Sequence, residues 1–279
     1  MCGKRWILDN KTLLREYIKK YRYFSLNNVV QSIGIKRCVA IKYLQLFKSE
    51  KIVFSAGRGF YTSEGREFIY PKISRVIKIR QLIIKEFPNL DFIIWNTLYF
   101  QPYYHHQQTH NITVVEVEYD GIQSVVEIIS RFYRNVITES KRKLCTSEFD
   151  ITNDPIIVRP FIRRSPRDGN EPRLEKMLVD IYIINYKYKI MADVDFWELW
   201  RSLFSLYRID FSKLIDYAVG RRNMRVLISQ LIDNAGLKEV IFDSKYDLLS
   251  NMTRKKGGRC RDGKTRHKTV GIIEKRNTI

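Results

Sequence analysis

Three groups of side chains in this sequence have the types and spacing that chemistry requires. Asp91 opens one apolar run, Phe92-Ile93-Ile94-Trp95, and Glu116-Val117-Glu118 closes another. Carboxylates on two neighbouring strands are how a restriction-like nuclease holds magnesium and activates water. Such a site also places a lysine two residues after the second acid, and that position here is Glu118. The run Val115-Glu116-Val117-Glu118 fits the in-and-out alternation of a half-buried strand, which is the expectation; a nuclease using Glu116 or Glu118 stays as the alternative. His105, His106 and His110 include an i, i+4 pair that could bind a metal on a helix. Pro102 and the Tyr/Gln/Thr surroundings predict a loop, and no carboxylate or cysteine completes a site, so no metal is expected. In Arg173-Leu174-Glu175-Lys176-Met177-Leu178-Val179-Asp180, the residues Glu175, Lys176 and Asp180 could act as acids and bases. On a helix with an apolar face they are expected instead to hold that helix against its neighbours. No Gly-rich phosphate loop, nucleophile elbow or kinase signature is present. No cofactor is expected, and nothing in these groups demands an enzyme.

A fourth group is cationic: Lys36, Arg37, Lys42 and Arg58. The elements that must position it lie between residues 25 and 61. Ser25 is placed to cap a short helix, and Gly34 supplies the tight turn into a second helix from about Lys36. Ala40, Leu44 and Phe47, with Tyr43, recur at helical spacing and predict a buried stripe. That stripe leaves Lys36, Arg37, Ile41 and Lys42 outward near the helix start, the end that enters a major groove. Ile52-Val53-Phe54 and Arg58-Gly59-Phe60-Tyr61 read as a two-stranded hairpin. A preceding helix, from a cap at Asp9 to Tyr21, carries Leu13, Leu14, Tyr17 and Ile18. The ordered set predicts a winged helix-turn-helix. Lys36, Arg37 and Lys42 are its expected base and phosphate contacts, Arg58 its wing contact, and Ser25 and Asn28 additional contacts to the DNA backbone.

Charge supports a polyanionic partner. The 279 residues carry 50 Lys+Arg and 30 Asp+Glu, a formal charge of +20. Residues 1–86 hold 19 basic and 6 acidic side chains and residues 251–279 hold 10 and 2, while the remainder is nearly neutral. Clustered cations bind nucleic acid by releasing its counterions. No basic amphipathic helix with a Trp/Phe/Leu face points to a membrane surface, and no apolar run is long enough to span one. Cys2, Cys38, Cys145 and Cys260 form no CxxC pair, and the charged start MCGKRWILDNK lacks a signal-peptide core. A cytoplasmic protein is expected.

With 44% apolar residues the chain can build substantial cores. Pro71 breaks it after the hairpin, and a helix over 72–86 carries Lys72, Arg75, Lys78 and Arg80, so it extends the basic surface or connects domains. Strands are predicted at 92–95, 112–117, 136–138 and 156–158, a helix at 122–133 with Val125, Val126, Ile129 and Phe132 on one side, and a basic loop at 163–172. Helices follow at 173–184, 195–207 and 211–234. The expected class is α+β: a winged helix-turn-helix over 1–66, a larger mixed α/β domain with a helical layer over 72–250, and a basic tail over 251–279 that adds a nonspecific phosphate contact.

Several stretches together resemble the AbiEi-like antitoxins and transcriptional regulators of abortive-infection (type IV) toxin–antitoxin systems. They are Gly57-Arg58-Gly59-Phe60-Tyr61, Phe92-Ile93-Ile94-Trp95-Asn96-Thr97, Val114-Val115-Glu116-Val117-Glu118, Pro172 through Asp180, and Tyr217-Ala218-Val219-Gly220-Arg221-Arg222. The resemblance implies a phage-defence repressor that binds inverted repeats in its own promoter as double-stranded DNA. It also implies a C-terminal antitoxin domain that counters a nucleotidyltransferase toxin encoded by the adjacent gene. An RNA- or protein-binding module is a further alternative.

Overall fold

The computed structural model describes residues 9–104, 110–139, 151–162 and 164–221. Helix α1 (Asn10–Lys20) forms where apolar residues recur at helical spacing, and it buries Leu14 and Ile18; Asp9 stands at its N-cap position without a side-chain cap bond. Strand β1 (Tyr23–Ser25) runs directly into α2 (Leu26–Ile33). There the Ser25 hydroxyl accepts from the Asn28 amide at 3.0 Å, and the Asn28 side-chain oxygen accepts from the Ser25 amide at 2.9 Å. This reciprocal capping box satisfies two amides that the helix start leaves open. Gly34 ends α2 at φ +74°, a left-handed conformation that costs glycine little.

Helix α3 (Arg37–Ser49) buries Ala40, Leu44 and Phe47. They join Leu14, Ile18, Phe24, Val29 and Val53 in one apolar cluster, with Tyr43 partly buried against it. Side chains of the Leu and Phe size contribute roughly 1.5–3 kcal/mol each when fully buried. Strands β2 (Phe54–Ser55) and β3 (Phe60–Thr62) form an antiparallel hairpin, and β1 pairs with β3 to give the order β1-β3-β2.

Residues 63–73 contain no helix or strand, and α4 (Ser74–Glu86) follows. The main sheet comprises β4 (Phe92–Asn96), β5 (Thr113–Val117), β6 (Val136–Thr138) and β7 (Ile156–Pro160). Its order is β4-β5-β7-β6, with β4 antiparallel to β5 and the other two pairings parallel. Helix α5 (Ile122–Ser130) connects β5 to β6, as parallel strands require a crossover. Two-residue strands β8 (Arg167–Asp168) and β9 (Glu171–Pro172) interrupt the expected basic loop. Helices α6 (Leu174–Tyr188), α7 (Asp193–Leu206) and α8 (Phe211–Gly220) complete a mixed α+β structure.

Two details correct the sequence reading. Strand β5 is buried at all five positions, Glu116 included, rather than alternating, because helices cover the sheet: α6 meets Glu116 through Lys176, and α4 and α5 pack on β4 and β7. Phe132 is 68% exposed because α5 ends at Ser130, before the expected apolar face reaches it. Expectations for His105, His106, the continuation of the last helix past 221 and the basic tail lie outside the described residues.

All described residues belong to one compact unit. The N-terminal elements are seated on the C-terminal helices. The Tyr23 hydroxyl donates to the Tyr207 carbonyl at 2.7 Å and accepts from the Ile209 amide at 3.2 Å. Phe211 meets the rings of Tyr23, Phe60 and Phe204 with centroids 5.1, 5.8 and 5.7 Å apart.

Candidate nucleic-acid interface

The inward stripe of α3 leaves Lys36, Arg37 and Lys42 exposed, as expected from spacing. Ile41 is half-buried against the apolar cluster rather than outward. Arg37 donates to the Asn27 side-chain oxygen at 2.7 Å. One residue earlier, the Leu26 amide donates to the Gly59 carbonyl at 3.0 Å, beside exposed Arg58. The first turn of α2 is therefore bonded both to the Arg37 side chain at the start of α3 and to the main chain of the hairpin turn at Gly59. Burial, opposed by Arg37, pushes the nearby Tyr61 hydroxyl upward, so that ring stays neutral beside the cations.

The hairpin turn is held from behind. The Phe211 amide donates to the Ala56 carbonyl at 2.8 Å, and the Arg58 amide donates to the Ser212 hydroxyl at 2.6 Å. Gly57 sits at φ +117°, and a Cβ there would lie 2.6 Å from the Ser212 hydroxyl and 2.7 Å from its amide. Only glycine fits this approach. The main chain of Arg58 is thus fixed by α8 while its side chain is exposed.

Ser25 and Asn28 do not belong to this surface. They are 3% and 4% exposed, and their side-chain oxygens form the cap of α2. The same chemistry that makes Ser and Asn good DNA-backbone donors makes them good caps, and burial decides between the two. On α4, Arg75 reaches the Asp154 carbonyl at 2.6 Å and Arg80 reaches Glu171 at 2.5 Å. Lys78 and Lys85 are its exposed cations, and Lys72 is exposed just ahead of it. Asn27 and Ser212 were not foreseen: the first has no signal beyond its place in a helix start, and the second lies 154 residues from the turn it holds.

A second cluster of charge is internal. Lys176 donates to Glu116 at 2.7 Å, to Asp180, and to the Tyr217 hydroxyl at 3.2 Å. Arg159 donates to the same Glu116 oxygen at 2.9 Å and to Asp180 at 2.9 Å. Tyr217 donates to the other Asp180 oxygen at 2.9 Å, and Arg221 approaches it to 3.6 Å. Burial pushes the Asp180 carboxyl up, but Lys176 and then Arg159 outweigh it and hold the group well below the usual carboxylate range. Burial, followed by Asp180, pushes the Tyr217 hydroxyl up. The cluster ties β5 and β7 to α6 and α8, the structural role expected for Lys176 and Asp180. Glu175 sits apart, accepting the Asp210 amide at 2.7 Å. Asp91 is held by Arg167 at 2.7 and 2.5 Å, so Asp91 and Glu116 are each paired with cations of their own rather than with the other. Glu118 is exposed past the strand. Among the described residues, no group of three or more His, Cys, Asp or Glu is placed to hold a metal ion.

A family profile matches residues 39–238, most of the chain: DUF6577, a family of unknown function. The chain belongs to that family. No curated protein and no solved structure matches it. The DUF6577 match begins inside α3, so it takes in Lys42, Arg58 and the whole internal cluster, while Lys36 and Arg37 lie just ahead of it. Among the described residues, no helix is long and apolar enough to cross a membrane.

Proposed function

We propose that this DUF6577 protein is a DNA-binding transcriptional regulator and that residues 10–62 form a winged helix-turn-helix. The observation that carries the reading is the order α1-β1-α2-α3-β2-β3, with Lys36, Arg37 and Arg58 exposed and the first turn of α2 bonded to both Arg37 and the hairpin turn. In this reading the first turn of α3 enters the major groove. Arg37, oriented by Asn27, offers the planar donor fork that reads guanine, and Lys36 and Lys42 meet bases and phosphates. Arg58 on the hairpin reaches phosphate or the minor groove. The fixed hairpin means that the contact geometry exists before DNA arrives, which lowers the ordering cost of binding.

The resemblance to AbiEi-like regulators extends the proposal to a cytoplasmic, autorepressing antitoxin of an operon whose toxin is a nucleotidyltransferase. Inverted repeats in its promoter would seat two copies on half-sites about 34 Å apart, one helical turn. The test is a gel-shift titration on the chain's own upstream DNA against a scrambled duplex at two salt concentrations. Promoter preference of roughly a thousandfold, the lower range for specific regulators, is expected. Equal binding to both duplexes that collapses with salt would reduce the face to a nonspecific basic patch.

A further inference from the structure

Between β2 and the entries to α6 and α8 lies a cleft of about 300 Å³, at the lower end of sizes that hold small ligands. Three ion pairs ring it: Arg208 with Glu67, Arg173 with Asp168 at 3.3 Å, and Lys213 with Asp210 at 3.8 Å. A fourth carboxylate, Glu175, has a side chain only 6% exposed and shares its cation with Asp168. Its nearest cation is Arg173, 3.9 Å away and already engaged by Asp168. Four carboxylates against three cations leave the cleft one positive charge short, at the most buried acid. Burial pushes the Glu175 carboxyl up, with the Asp210 amide opposing it, as an undercompensated buried acid requires. Phe68 and Tyr70 line one wall, and the Tyr70 hydroxyl is turned to the Pro172 carbonyl at 2.6 Å. Aromatic faces of this kind attract cations.

We propose that this cleft binds a small organic cation, a primary amine or guanidinium compound, with its charged head on Glu175 and its body against Phe68 and Tyr70. The cleft adjoins the clamp on the hairpin. Glu175 holds the Asp210 amide, and the next two residues, Phe211 and Ser212, hold Ala56 and Arg58. A ligand on Glu175 therefore acts on the element that fixes Arg58; that regulatory consequence, unlike the binding itself, rests on the DNA-binding reading.

The experiment is isothermal titration of the full chain with agmatine in the absence of DNA, with inorganic phosphate as a second arm. Saturable binding of one agmatine is expected, weakened at least tenfold by Glu175→Gln, whose amide oxygen still accepts the Asp210 amide. An unchanged melting temperature controls for folding. If Glu175→Gln does not fold, amide shifts in the wild-type chain provide the readout, and they should concentrate at residues 55, 68–70, 173–175 and 208–213. No saturable agmatine binding, equal affinity in the Glu175→Gln chain, shifts centred elsewhere, or phosphate binding in place of agmatine would each overturn the proposal. Because DNA is absent, failure here leaves the regulator reading standing, and failure of promoter specificity leaves the cleft standing.

Discussion

Lys176 and Lys36 are the same residue type in opposite situations. Lys176 is fully buried among Glu116, Asp180 and Tyr217, whereas Lys36 stands exposed at the entry to α3. In the interior each charge has lost its water, so it is tolerable only with partners, and the buried charges of Lys176, Arg159, Glu116 and Asp180 cancel. At the surface water screens the charge, so a lysine costs the fold little and is available to a polyanion. Place in the fold, rather than residue type, separates a strut from a binding contact.

The largest test of that contrast is Lys176→Ala, which leaves Glu116 and Asp180 buried beside one cation fewer. A loss of about 4 kcal/mol is expected from urea denaturation, in the range for breaking a buried pair. A loss under about 1 kcal/mol, the scale of surface pairs, would erase the distinction between the two regions. Acid should discriminate in the same direction. The Asp180 carboxyl is held below its unfolded value, with Lys176 and Arg159 outweighing burial. Its contribution is therefore complete above the unfolded value, near 3.9, and drains away as pH falls through the folded one. Glu139 is likewise lowered, chiefly by Arg159 against burial. Stability of the wild-type chain should thus decline from about pH 5 downward, more steeply than that of Asp180→Asn. Parallel acid limbs would show that the cluster does not bind its carboxylate as drawn.

The exposed region calls for the opposite signature. Lys36→Ala combined with Arg37→Ala should weaken promoter binding at least tenfold, about 1.4 kcal/mol, while stability stays within about 0.5 kcal/mol. Unchanged affinity in the folded double variant would make this face an ordinary solvated one. The smallest effect is expected from Ser25→Ala: about 1 kcal/mol of stability from the lost cap, with promoter affinity unchanged. A selective loss of affinity would return Ser25 to the interface.

Local order carried much of this architecture into view. The α3 stripe of Ala40, Leu44 and Phe47, the Ser25 cap, the left-handed Gly34 and the hairpin are all interactions between residues a few positions apart. Helix and strand periods therefore exposed them, together with the outward Lys36, Arg37 and Lys42. The alternation around Glu116 pointed the wrong way because the residues that neutralise it, Arg159 and Lys176, are 43 and 60 positions distant.

By itself, then, the amino-acid order determined the α+β class, the element sequence apart from β1, β8 and β9, and which cations at the start of α3 face outward, since short-range periodicity and turn chemistry govern these. Only the tertiary structure decided that Glu116 is a buried partner of Arg159 and Lys176, that Ser25 and Asn28 serve a cap, and that α8 clamps the hairpin carrying Arg58. Burial and long-range pairing are properties of neighbours in space, and no local spacing encodes who those neighbours will be.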